Sequence, residues 1–179
     1  MIRFITAILI ALCIPFYAFA RDRDVELAEM QKHIDWLAEV YHLPHNGQAL
    51  PLVVYLSQEQ MNIFFYGEEK YIEDKKKDNV TPVEAVFQPT VGSGVIYLQN
   101  DFNWNNIEDA DTVVHELVHY LQHINKTKYS CNLLKELDAY KYQSLWMLEN
   151  PSARQAPTFL TAIAILETCA QSWEPPTED

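Results

Sequence analysis

Apolar residues in the first part of the chain recur at steps of three and four. Leu27, Met30, Ile34, Leu37 and Tyr41 lie on one stripe between Asp22 and Tyr41, the spacing of a helix that buries a single face. Pro44, Asn46 and Gly47 end it. The period then changes. Leu52-Val53-Val54-Tyr55-Leu56 is a short, bounded, β-branched run that predicts a buried strand. Ser57-Gln58-Glu59-Gln60 matches a capping box, in which the serine and second glutamine each satisfy the other's backbone N–H, and it opens a short helix to about Tyr66. Gly67 to Thr81, containing Lys75-Lys76-Lys77, predicts a solvated, charged loop.

Val83 to Gln88 and Gly94 to Gln99 predict two more strands. Gly92 and Gly94 supply the positive φ that a hairpin turn between them needs. Val95-Ile96-Tyr97-Leu98 is either an edge that pairs an extended peptide or a plain core strand. A polar loop holding Phe102 and Trp104 leads to a helix capped by Asp109 or Asp111 and running to about Ile124. Ser130 caps another helix, which Pro151 stops near Asn150, and Thr158 to Gln171 predicts a last one. Neither a repeat nor a linker divides this order. It predicts a single α+β domain: a small, mostly antiparallel sheet flanked by helices.

The first twenty residues read differently. Arg3, the apolar run Phe4 to Phe16 and the small residues of Ala18-Phe19-Ala20 form a signal peptide, residues 1–20, cleaved after Ala20. That run is shorter than the roughly 18–20 residues a membrane span needs, so stable membrane insertion after cleavage is not expected. The domain then covers residues 21–174, with a flexible tail over 175–179, and the destination is the periplasm or the medium. The leader takes Cys13 with it. Cys131 and Cys169 remain, an even number suited to an oxidising compartment. A bridge between them would close a loop of about 39 residues and contribute on the order of 3–4 kcal/mol; two free buried thiols are the alternative.

The chain has 179 residues, 49% of them hydrophobic, enough for one core. With 13 basic against 25 acidic residues it carries a formal charge of −12. That balance argues against nucleic acid and anionic lipid as partners, because both demand a dense basic face.

His115-Glu116-Leu117-Val118-His119 is an HExxH motif. On a helix its histidines lie one turn apart on one face and can share a Zn²⁺, while Glu116 lies beside them, able to act as general base on water at the metal. Val114, Leu117, Val118 and Leu121 would hold this helix in a core. A solvated face without metal, with His123 continuing the stripe, is the plain alternative. A hydrolytic zinc site needs a third protein ligand and an open position. The metzincin pattern fails, because Gln122 and Asn125 stand where its glycine and third histidine belong. His123 falls a full turn beyond the metal and reads as a supporting or surface residue. Glu136, 17 residues after His119 and followed by the small Ala139, is the favoured ligand. Asp138 is its rival and points about 200° round the helix from it.

HExxH on one helix with Glu136 in an E-x-x-A segment on the next resembles the gluzincin zinc metallopeptidases. The likeness covers Val113 to about Gln143 and the preceding strand Val95 to Leu98. The chain also looks like small secreted bacterial HExxH proteins of unassigned function. The resemblance implies a zincin-like fold, with His115, His119 and Glu136 as zinc ligands and Glu116 as base. Tyr140, one turn beyond Glu136, is the candidate donor to the developing oxyanion. The expected function is a secreted or periplasmic zinc peptidase, monomeric, acting on a peptide or protein. A metal-retaining binding or inhibitory module with weak or no turnover is the second reading, and a purely structural zinc staple the third.

Overall fold

The computed structural model describes residues 23–150 together with Ile165, Leu166, Thr168 and Cys169. The expected leader, the tail 175–179 and most of the expected helix from Thr158 to Gln171 lie outside the described residues. The described elements run α1 (Arg23–Tyr41), β1 (Leu52–Leu56), α2 (Gln58–Tyr66), α3 (Glu68–Lys76), β2 (Ala85–Gln88), β3 (Val95–Gln99), α4 (Ile107–Ile124) and α5 (Leu134–Glu149). The class is α+β.

The three strands form one sheet in the order β1-β3-β2. β2 and β3 make the expected antiparallel hairpin, with Phe87 opposite Ile96. β1 pairs with β3 in parallel, Val54 opposite Tyr97, so the sheet is mixed rather than mostly antiparallel. The parallel pairing needs a long return path, which α2, α3 and β2 supply. β3 is therefore the central strand and offers no free edge to a peptide. It alternates as a central strand over a one-sided core should. Ile96 and Leu98 are fully buried, while Tyr97 faces the other way and stacks on Phe64 of α2 with ring centroids 4.4 Å apart. The expected burial of β1 is only half met: Leu52 and Val54 are exposed on its outer face, because it is an edge strand.

The core gathers Met30, Ile34 and Leu37 from α1, Ile96 and Leu98 from β3, and Val113, Val114, Leu117, Val118 and Leu121 from α4. α4 packs on α5, α1 and β2 and is the central helix of the domain. Two helix starts and one expected loop differ from the sequence reading. α4 starts earlier, capped by Asn106, whose side chain accepts from the Glu108 N–H. α5 starts later, at Leu134, with no side-chain cap. The expected charged loop contains α3: acids in its first turn, lysines in its last, and the Lys70–Asp74 and Glu73–Lys77 pairs favour a helix there, and buried Tyr71 docks it. The capping box of α2 forms as expected, with both hydrogen bonds present. Cys131 and Cys169 are joined as a disulfide, tying the loop before α5 to the C-terminal segment.

His33, 2% exposed, packs edge-on against Trp146. Burial, aided by Lys32, lowers its pKa from 6.5 to about 4. The unfolded chain therefore takes up a proton first as pH falls, so stability held above pH 6.5 is lost towards pH 4, by up to about 3 kcal/mol. Denaturant titrations at pH 7 and pH 4.5 should show that loss in the wild type and a smaller one in His33→Gln; equal losses contradict the assignment. Gly94 has φ +81°, and a Cβ there would sit 2.5 Å from the Phe87 ring and 3.0 Å from the Gln88 carbonyl oxygen. Gly92 has φ +93° but open space around it. Gly94→Ala should destabilise by about 2 kcal/mol or more and Gly92→Ala by about 1; thermal melts giving the reverse order would contradict this packing.

Candidate metal centre

α4 sets the His115 and His119 rings one turn apart, with their Nε2 atoms at 3.2 Å. α5 crosses them with its first turn. Oε2 of Glu136 lies 3.0 Å from Nε2 of His119 and 3.4 Å from Nε2 of His115. Among the described residues this is the one such group of histidine, cysteine and acidic donors. A tetrahedral zinc with bonds of about 2.0–2.1 Å holds its ligand atoms about 3.3 Å apart. The triangle therefore has the size of one face of that tetrahedron, and the donor set of two imidazoles and a carboxylate suits zinc.

The far side of each ring is held as well. Nδ1 of His119 meets Oε1 of Gln122 at 2.9 Å, and Nδ1 of His115 meets Oε1 of Gln143 at 3.2 Å. A carboxamide oxygen only accepts, so each bond calls for a proton on Nδ1; Nε2 then either carries a second proton toward Glu136 or, with that proton gone, turns its lone pair to the shared point. Glu136, Tyr140 and Gln143 occupy positions i, i+4 and i+7 of α5, one face of the helix. That face supplies a carboxylate, an aromatic ring and a carboxamide that meets His115. Fully buried Ala139 lies on the same side and leaves room for α4.

Glu116 is 7% exposed, and its Oε2 accepts the Phe87 backbone N–H at 2.6 Å. The donor comes from β2, on the edge not paired with β3. Tyr140 packs its ring edge-on against His115, centroids 4.7 Å apart. His115, Glu116, His119, Glu136 and Tyr140 all line one cleft of about 880 Å³, with Phe65, Tyr66 and Phe87 on its walls. The remaining candidates stand outside the triangle, His123 on the wall of the same cleft. His123 bonds the Gly92 carbonyl through Nε2 at 3.2 Å, bracing the hairpin turn. Asp138 accepts from Tyr129 at 2.6 Å and from Tyr41 at 3.1 Å and is not part of the triangle.

The protonation balance follows from this geometry. Burial acts to raise the pKa of Glu136, but the hydrogen bonds from His115 and His119 and their charge outweigh it and hold the carboxyl well below the usual range. Burial acts to lower His119, and the bond to Glu136, the charges of Glu116 and Glu136 and the bond to Gln122 together raise it. Tyr140 is pushed up by burial, then by Glu136 and Glu116, and so stays a donor.

Sequence reasoning missed three participants. Gln122 is three residues after His119, and Gln143 seven after Glu136, so helix periodicity could have found both. The Phe87 N–H is a backbone group and left no signal in the residue pattern.

No helix among the described residues is long and apolar enough to cross a membrane. No curated protein and no solved structure matches the chain. A family profile does match, over residues 24–172, and its description is a domain of unknown function, DUF6647. Because that match covers most of the chain, the protein belongs to the DUF6647 family.

Proposed function

We propose that this chain is a zinc-dependent metallohydrolase, a peptidase with gluzincin-like ligands, working outside the cytoplasm. The observation that carries the reading is the triangle of Nε2, Nε2 and Oε2 atoms from His115, His119 and Glu136, set in the same cleft as Glu116. The zincin-like fold assignment is part of the same proposal. The Cys131–Cys169 disulfide supports an oxidising compartment, and so secretion or a periplasmic location.

His115, His119 and Glu136 would hold the ion, which when bound supplies Lewis acidity, polarising a carbonyl and acidifying water. Glu116 takes the proton of the attacking water and returns it to the leaving amine. Its hydrogen bond to the Phe87 N–H fixes where the carboxylate sits while it does so. Tyr140, protonated and in the cleft, donates to the oxygen that gains charge. The edge of β2 not paired with β3 gives an extended peptide backbone a partner along the cleft.

The test is zinc content and hydrolysis of a fluorogenic peptide library by the chain from Arg21 onward. Wild type should carry about one zinc and cleave a subset of the library. Glu116→Gln should keep the zinc and lose turnover by about 10²–10⁴-fold, and Glu136→Ala should bind zinc far more weakly. Turnover in Glu116→Gln equal to wild type would overturn the peptidase reading. Full zinc with no cleavage by wild type would support a metal-retaining binding module instead.

A further inference from the structure

Gln122 is 6% exposed, and its side-chain orientation is set by its partners. Its Nε2 lies 3.0 Å from the Lys135 backbone carbonyl, which can only accept. The nitrogen must therefore face that carbonyl and the oxygen must face His119. The second Nε2 proton goes to the Tyr41 hydroxyl oxygen at 3.2 Å. Tyr41 in turn donates to Oδ2 of Asp138 at 3.1 Å, and Tyr129 donates to the same oxygen at 2.6 Å while lying 3.0 Å from Tyr41. Burial raises the pKa of both phenols, so both keep the proton they donate.

The donors all point one way. His119 gives to Gln122, Gln122 to Tyr41, and Tyr41 to a carboxylate. Bonds in such a series polarise one another, each acceptor growing more negative as it donates onward. Direct histidine–carboxylate pairs are a common way to orient a metal-binding imidazole and raise its basicity. Here the carboxylate stands two groups away, on α5, and the path runs through α1.

We propose that Asp138, Tyr41 and Gln122 form a hydrogen-bonded relay that orients His119 and strengthens it as a metal ligand. They are positioning residues, since Asp138 and Tyr41 reach the metal point only through Gln122. The inference rests on the zinc reading above. It also gives Asp138 a role other than ligand.

The experiment is a zinc competition titration against a chromophoric chelator, with melting curves of the metal-free proteins. It uses wild type, Gln122→Met, Tyr41→Phe, Asp138→Asn and the Tyr41→Phe/Asp138→Asn double variant. Gln122→Met should weaken zinc by about 10–100-fold, and each outer single variant by about 3–10-fold. The double variant should be no weaker than the worse single, because Tyr41→Phe already cuts the path from Asp138. Asp138→Asn keeps both tyrosine bonds and removes only charge. If it acted through space, its effect would multiply with that of Tyr41→Phe, and the relay would be overturned. Unchanged zinc affinity in Tyr41→Phe overturns it outright, even if Asp138→Asn fails to fold. Lower melting temperatures with unchanged affinity would show a structural role only, and would equally overturn it. Wild type without zinc affinity would sink the zinc reading itself and the relay with it, an outcome distinct from the others.

Discussion

A carboxylate from α5 lies within 3.4 Å of two imidazoles from α4, and the rest of the site is arranged around this contact. Charged or strongly polar groups withdrawn from water must be compensated where they stand. With Glu136 negative, either a proton on His119 or a divalent cation at the shared point can balance it. Much of the surrounding architecture serves to hold that contact. Ala139 lets α5 approach α4 closely, and the glutamines at Nδ1 fix the direction of each ring. The apolar residues of α4 on both sides of the motif lock the helix into the core, so the histidines cannot relax away by helix rotation.

The sheet contributes in a different way. It is too small to be the main source of core area, yet it places one backbone N–H at Glu116. That depends on the β2–β3 hairpin, whose turn brings the Gly94 backbone close against Phe87. His123, one turn beyond the motif, ties the same turn back to α4. The α4 helix, the first two turns of α5 and the β2 strand of the hairpin thus line one cleft, and His115, Glu116, His119, Glu136 and Tyr140 all open onto it.

Much of this was legible in the sequence because helix periodicity carries it. HExxH, Glu136 and Tyr140 are related by spacings of three and four along two helices, and the structure brings them into one cleft. The hairpin was legible from glycines at its turn. Strand order was not, because β1 pairs with β3 across more than one intervening element, and no local pattern encodes such a partner. The helix α3 leaves no apolar stripe in the sequence, because its stability comes from paired charges and one buried tyrosine. The place of Asp138 is not legible in the sequence either. Its partners Tyr41 and Tyr129 lie far off or in a loop, and only the fold joins them.

The triangle of His115, His119 and Glu136 is proposed as a zinc site. Crystals of the chain grown with zinc, measured above and below the zinc absorption edge, test it most directly. One strong anomalous peak should lie about 2.0–2.2 Å from Nε2 of His115, Nε2 of His119 and a Glu136 carboxylate oxygen. Zinc bound elsewhere with this triangle empty, or no peak at all at saturating zinc and neutral pH, would contradict it.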